Sequence, residues 1–319
     1  MTGALACPLC GGANHASTGL RPSSRYRPGT RFEIVRCVAC GLLMTRPRTA
    51  PAELKAYYDS GTYYSTVEAS RGGSHDGGWL AGLRRDVRRH VVHYYYARPG
   101  APARPAAAVW ARLARRRFGW APRPLPGSRL LDVGCGDGAF LLDARAAGWD
   151  VAGLDISEHA AANASKLGLP VAVGELVDLV YPPESFDVVR LWSVLEHLLD
   201  PLAGMQEAAR LLRPGGWAIL QVPNASGLAA RMLGAQWSGW DVPVHVSHFT
   251  PATLTRLVAQ GGLRPAELHH TSVGTMAPTL KVSATAVGRL AIALADQILD
   301  AAGLGDCIMC FARKPAGGT

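Results

Sequence analysis

No run of 18 uncharged apolar residues occurs anywhere in the 319-residue chain, which excludes a helix that spans a bilayer. The opening Met1-Thr-Gly-Ala-Leu-Ala-Cys7 lacks a charged n-region and a long apolar stretch, so no secretory leader is expected. A cytoplasmic address follows by default. Cysteine is sparse and odd in number; seven residues make a thin disulfide set, and a reducing compartment argues against pairing them. No internal repeat is present. Charged residues are only 18% of the chain while hydrophobic ones reach 48%, so a sizeable core can form and the composition is not that of a disordered protein. The length suits one large or two ordinary domains. The net charge of +9 is unevenly spread. Residues 1–129 hold 21 Lys+Arg against 6 Asp+Glu, and residues 130–319 hold 12 against 18.

Four of the cysteines form two pairs, Cys7-Pro-Leu-Cys10-Gly and Cys37-Val-Ala-Cys40-Gly. A C-x-x-C turn closed by glycine aims both sulfurs at one point, and two such turns supply the four thiolates of a closed tetrahedral Zn²⁺ site. A site with no spare position is structural. A segment of about 45 residues would hardly fold without such a staple. The 26 residues between the pairs allow a hairpin, with 31–38 as one strand. Cys307 and Cys310 lie in an apolar run read as a buried strand, where alternation sends them to opposite faces, so they are expected in the core.

The expected domains are a zinc ribbon over 1–48, an Arg-rich helical or linker insertion over 49–127, and an α/β domain over 128–319. A short helix is expected over 52–58. A second helix over 83–96 would carry Arg84, Arg85, Arg88 and Arg89 on one face, and a third is expected over 107–118. From residue 129 apolar runs and helical patterns alternate. Strands are expected at 130–133, 151–155, 171–173, 186–192 and 217–222, with helices at 139–147, 157–167 and 201–212. This rhythm predicts a doubly wound, mostly parallel Rossmann-like sheet. Thr250 caps a helix over 251–260, with Pro251 at its first position and Gly261-Gly262 ending it. The last strand, within 304–313, is expected to be antiparallel at or beside the sheet edge.

The segment Leu131-Asp132-Val-Gly134-Cys135-Gly136-Asp-Gly138 joins the first of these strands to its helix, where glycines let the backbone approach a ligand. Asp155 ends the next strand 21 residues after Gly134, the spacing of a carboxylate that binds ribose hydroxyls. The pattern is G-x-G-x-G rather than the G-x-G-x-x-G of a nicotinamide site. Further blocks follow: Glu184-Ser-Phe-Asp187-Val-Val, Leu195-Glu196-His197-Leu-Leu-Asp200-Pro201 and Leu212-Arg-Pro214-Gly215-Gly216.

These five blocks in this order make residues 129–223 resemble the class I S-adenosylmethionine-dependent methyltransferases. The resemblance implies that Asp132, Gly134, Gly136 and Gly138 surround the methionine portion of the cofactor, with Cys135 a small filler in their loop. It implies that Asp155 holds the ribose, that Ile156, Glu175 and Leu176 meet the adenine, and that Trp192 and Ser193 floor the pocket. His197 is expected to pack in the cofactor pocket and Glu196 to bond at a helix entry. The donor sulfonium is already activated, so catalysis requires aligning a nucleophile and removing its proton.

Beyond Val222-Pro-Asn224 lies an insertion with Trp237, Trp240, Pro243, His245, His248 and Phe249, expected as a substrate lid over about 224–250. Histidine is the natural base near neutral pH, which makes His245 and His248 catalytic candidates, with Glu196 a third; the plainer alternative has both histidines satisfying backbone groups at a helix entry. The block from Pro243 to Pro251 resembles bacterial methyltransferases that act on sugars and surface polysaccharides. The cysteine turns, with Tyr57-Tyr58 and Tyr63-Tyr64, resemble the deoxysugar C-methyltransferases, in which a Glu-His pair is implicated. Here Val244 stands in the place of that acid, which favours O-methylation of a hydroxyl over C-methylation. Glu196-His197 is similar to a metal-assisted arrangement in quinone O-methyltransferases, but Ser193 replaces their additional Glu, so no catalytic metal is expected.

The basic front suits a nucleotide-linked or lipid-diphosphate-linked saccharide, RNA, or simple solvation. RNA base methylation is the rival reading. It is disfavoured because the zinc segment of the ribosomal-RNA guanine enzymes has shorter spacing and includes histidine, and because no D/N-P-P-Y follows residues 186–191. A cofactor-binding scaffold without activity is the non-enzymatic alternative. The apolar stripe Leu290, Leu294 and Ile298 fits core, a homodimer interface or a membrane surface.

Overall fold

Two sheets organise the chain in a computed structural model that describes residues 6–59, 125–271, 298–299 and 302–316. The expected helices at 83–96 and 107–118, their arginines, Tyr63-Tyr64, Leu290 and Leu294 lie outside the described residues. The strands are β1 (His15–Ser17), β2 (Glu33–Cys37), β3 (Leu43–Arg46), β4 (Arg129–Val133), β5 (Asp150–Asp155), β6 (Val171–Val173), β7 (Phe186–Trp192), β8 (Leu212–Pro223), β9 (Ser247–His248), β10 (Arg264–Thr271) and β11 (Cys307–Arg313). The larger sheet runs β10-β11-β8-β7-β4-β5-β6 and the smaller β1-β2-β3-β9. β4 pairs in parallel with β5 and β7, and β5 with β6, whereas β10 and β11 are antiparallel. The mostly parallel Rossmann-like sheet is therefore as expected, with an antiparallel pair at one edge. No helix among the described residues is long and apolar enough to cross a membrane.

The helices are α1 (Pro51–Asp59), α2 (Ala139–Ala146), α3 (Glu158–Lys166), α4 (Pro201–Leu211), α5 (Leu228–Leu233) and α6 (Pro251–Gln260). Ser157 caps α3 by accepting from the Ala160 amide. Thr250 and Thr253 form a reciprocal capping box at α6, a device worth about 1 kcal/mol.

The chain divides into two compact units, each drawn from separate stretches. One contains 55–191, 210–219 and 314–319. In its centre Leu130, Leu131, Val188, Val189 and Leu191 are buried, because parallel strands are covered on both faces. Gly153 of β5 is obligatory, since an added Cβ would stand 2.7 Å from Leu141 Cδ1 and 2.8 Å from Cys135 Sγ.

The other unit contains 1–54, 192–209 and 220–313. The segment 1–48, expected as a zinc ribbon, lies within this unit. β3 pairs antiparallel with β9, matching Leu43 with His248 and Met44 with Ser247. Phe32, Ile34 and Leu43 share one core with Ala229, Trp237, Trp240 and Val242. The cysteine segment is too small to bury these side chains alone and covers them with the insertion instead.

Two strand expectations also change. β8 starts at Leu212 rather than 217, because Gly215, at φ 77°, and Gly216 pair with Lys314 and carry the strand through the Pro-Gly-Gly: Gly215 donates to the Lys314 carbonyl and Lys314 to that of Gly216. β10 was not anticipated, and it supplies the edge beside β11. Cys307 and Cys310 are buried in β11, as expected.

Candidate functional site

In the first unit the glycine-rich loop follows β4. Gly134, Gly136 and Gly138 all adopt positive φ, at 68°, 56° and 80°. They differ in why. A Cβ on Gly138 would collide with Leu169 Cδ1 at 2.3 Å, so that glycine lets α2 pack. A Cβ on Gly136 would meet nothing within 4 Å, leaving its backbone open for close approach of a ligand. Asp155 organises this loop: Oδ2 accepts from the Gly136 amide at 2.8 Å and Oδ1 from the Ser157 amide at 2.9 Å. Ile156 is half-buried beside it, Glu175 is exposed, and Leu176 is buried. Cys135 is buried, and its thiol is raised by that burial and by Asp132 and Asp155, which suits a filler.

Asp132 lies beneath the loop, fully buried. Its Oδ1 takes a 2.7 Å ion pair from Arg190, whose guanidinium stacks on Phe140 at 4.1 Å. Burial raises the Asp132 carboxyl while Arg190 opposes that shift. Its Oδ2 has no hydrogen-bond partner. An unfilled carboxylate oxygen beside a glycine loop fits the cationic methionine portion of the cofactor. Sequence reasoning missed Arg190; a lone cation within the apolar run from Val188 to Trp192 was the available signal.

In the second unit Cys7, Cys10, Cys37 and Cys40 converge, with their sulfurs within 4.8 Å of one another. The two turns are alike. Gly11 at φ 72° donates to the Cys7 carbonyl at 2.8 Å, and Gly41 at φ 81° donates to that of Cys37 at 2.9 Å. Cys7 Sγ lies 3.5 Å from Cys40 Sγ, and Cys10 Sγ the same distance from Cys37 Sγ. Zn–S bonds of about 2.3 Å require tetrahedral sulfurs roughly 3.8 Å apart, so the donor set fits one Zn²⁺. Gly12 leaves room for it, since a Cβ there would stand 3.3 Å from two of the sulfurs.

The same unit holds Glu196, His197 and His245, one ligand atom of each within 4.8 Å of the others. The His197 and His245 rings meet edge-on at 4.6 Å. His245 Nδ1 donates to the Gly239 carbonyl at 2.9 Å and His197 Nδ1 to that of Val244 at 3.0 Å. Because a carbonyl only accepts, both rings carry their proton on Nδ1 and present Nε2 as the basic nitrogen. Burial holds both below the usual histidine range, so they are neutral at pH 7. The Glu196 side chain is 1% exposed and its Oε2 is unpartnered; burial pushes its carboxyl up to about 8, so it is largely protonated. The Glu196 backbone carbonyl accepts from the Val246 and Ser247 amides.

His248 is placed differently. Its Nε2 lies 2.9 Å from Thr45 Oγ1 and its ring packs edge-on to Trp240. Trp237 and Trp240, in the segment expected as a substrate lid, are buried in one core cluster with Phe32, Ile34 and Leu43. Ser193, at φ 54°, is exposed and bonds Gln221 through backbone and side chain, at 2.9 and 2.6 Å. Trp192 is half-buried.

A family model described as "Methyltransferase domain" matches residues 103–268, just over half of the chain. The chain belongs to the methyltransferase domain family. A ubiquinone biosynthesis O-methyltransferase of Cereibacter sphaeroides is 33% identical to this methyltransferase over 159 residues, covering 46% of the chain and 64% of the relative. One from Paracidovorax citrulli is 38% identical over 136 residues, covering 38% and 56%. The matches therefore span less than two thirds of these relatives. A chain of the complex between the Haloferax volcanii Trm112 methyltransferase activator and a putative methyltransferase superposes with a TM-score of 0.51 at 16% identity, covering 84% of this chain and 100% of that one. That likeness shows the fold, which is that of the class I S-adenosylmethionine-dependent methyltransferases.

Proposed function

We propose that this methyltransferase transfers a methyl group from S-adenosylmethionine to a hydroxyl oxygen of a small acceptor, a saccharide or a related biosynthetic intermediate. When bound, the cofactor supplies a methyl group already activated on a sulfonium. Asp132 and the open backbone of Gly136 receive its cationic portion, Asp155 the ribose, and Ile156, Glu175 and Leu176 the adenine. One observation carries the choice of base: His245 is neutral, fixed by its Nδ1–H on the Gly239 carbonyl, and basic at Nε2. That nitrogen would take the acceptor proton as the oxygen takes the methyl, which the cofactor, when bound, would supply from a sulfonium that becomes a neutral thioether. One histidine suffices for a hydroxyl. The relatives named as O-methyltransferases support oxygen as the acceptor atom, and the basic front suits an acceptor carrying phosphate. The four cysteines hold one structural Zn²⁺.

His245→Ala should bind S-adenosylmethionine as tightly as the parent protein in calorimetry. Methyl incorporation, read by mass spectrometry as a gain of CH2 in cell-extract acceptors, should fall by about 10²–10⁴-fold. Retained turnover removes His245 from the mechanism, and no cofactor binding at millimolar concentration removes the methyltransferase reading. Tight, salt-sensitive retardation of RNA would instead favour a nucleic-acid acceptor.

A second reading is favoured by the convergence of Glu196, His197 and His245. Two imidazoles and a carboxylate can hold a divalent ion, with His245 taking the place vacant at Ser193. A rate that rises with added divalent metal and falls with chelator, at constant zinc on the cysteines, would select it.

A further inference from the structure

The histidine loop is gripped from an unexpected direction. Thr45, on β3 two hundred residues earlier, is 1% exposed and touches the loop at three points. Its Oγ1 lies 2.7 Å from the His245 carbonyl and 2.9 Å from His248 Nε2, and its amide donates to the Val246 carbonyl at 3.1 Å. A threonine hydroxyl has one proton. The carbonyl can only accept, so that proton goes to His245, and the hydroxyl must accept from His248. His248 therefore carries its proton on Nε2, the opposite tautomer from His245. Neighbouring residues extend the grip within the same unit: Thr49 Oγ1 donates to the Pro243 carbonyl at 3.2 Å and Arg48 to that of Leu199 at 2.6 Å.

We propose that Thr45 is a positioning residue for the histidine loop, its hydroxyl fixing the backbone of His245 and the ring of His248 from the N-terminal sheet. The cysteine segment then serves the reaction as a mount for the base, in addition to any contact with the acceptor. The inference rests on His245 as the base only for its catalytic consequence; the hydrogen-bond arrangement stands apart from it.

The test uses the full chain labelled with ¹⁵N-histidine, reading ring tautomers by long-range ¹H–¹⁵N correlation. Signals are assigned with His245→Gln and His248→Gln. The parent protein should show His248 protonated on Nε2 and His245 on Nδ1; the reverse for His248 overturns the proposal without any variant of Thr45. In Thr45→Val, equal in shape but without the hydroxyl, the His248 tautomer should shift and amide exchange over 244–249 should quicken. Thr45→Ser should restore both. Methyl transfer, once an acceptor is in hand, should lose about tenfold in kcat in Thr45→Val with unchanged cofactor affinity, and recover in Thr45→Ser. A Thr45→Val protein whose His248 tautomer and loop exchange match the parent overturns the proposal, since a packing role alone predicts that result. If Thr45 moves the tautomer but His245→Ala keeps turnover, the loop geometry survives and only the assignment of the base fails.

Discussion

At the scale of single residues, charge inside the molecule is handled in two ways. Asp132 has Arg190 beside it to oppose the upward shift of burial, whereas Glu196 has no such cation opposing its shift among the described residues and gives its charge up. The first arrangement makes a specific demand on Arg190, which must reach Asp132 while stacking on Phe140. Arg190→Met should leave a buried carboxylate without its cation and cost about 3–5 kcal/mol in urea unfolding. Arg190→Lys should recover little, since a lysine ammonium lacks the planar face that stacks on the ring. The glycines of the loop, Asp155 and the four cysteines were legible in the sequence, because each belongs to a short motif whose members act together. Arg190 and Thr45 were not, because their partners lie 58 and 200 residues away and nothing local marks them.

At the scale of elements, the strands from β4 to β7 and helices α2 to α4 follow from apolar periodicity and caps, and the sequence showed them within a residue or two. β9 is only two residues long, with polar side chains, and exists because β3 offers it an edge. β10 carries Arg, Glu and two His in eight residues, so its alternation is masked; pairing with β11 makes it a strand. β8 hid its start behind a Pro-Gly-Gly that reads as a turn. The β1–β3 sheet depends on the two cysteine turns, which meet at the Cys37 end of β2. Purified protein should carry one Zn²⁺ per chain by elemental analysis, and its removal by a strong chelator should release amide protection in 33–46 and 247–248 together. Protection that persists in 247–248 after zinc loss would separate the loop from the metal.

At the scale of the whole molecule, buried titratable groups set how stability responds to pH. Glu196 binds its proton more tightly folded than unfolded, at about 8 against 4.5. Between those values the folded state holds a proton that the unfolded state lacks, so stability falls as pH rises and levels off above about 8. His197, His245 and His248 are held below 6.5, so they oppose folding as pH falls through that value. From pH 6.5 to 8 the Glu196 contribution acts without them. Unfolding free energy should decline there by up to about 1.4 kcal/mol per pH unit from this residue. Glu196→Gln should flatten the slope by that amount; an unchanged slope would show that the carboxyl is ionised in the folded protein.

The pairing of β3 with β9 also orders events in time. A ribosome adds about 5–20 residues each second, so the roughly 200 residues between Thr45 and His245 take on the order of 10–40 s to emerge. For that interval β3 has a bare edge, and Phe32, Ile34 and Leu43 await Trp237, Trp240 and Val242. The front of the chain is thus made early and completed late. Its exposure to nascent-chain binders and to mispairing is set by the distance to a strand of two residues.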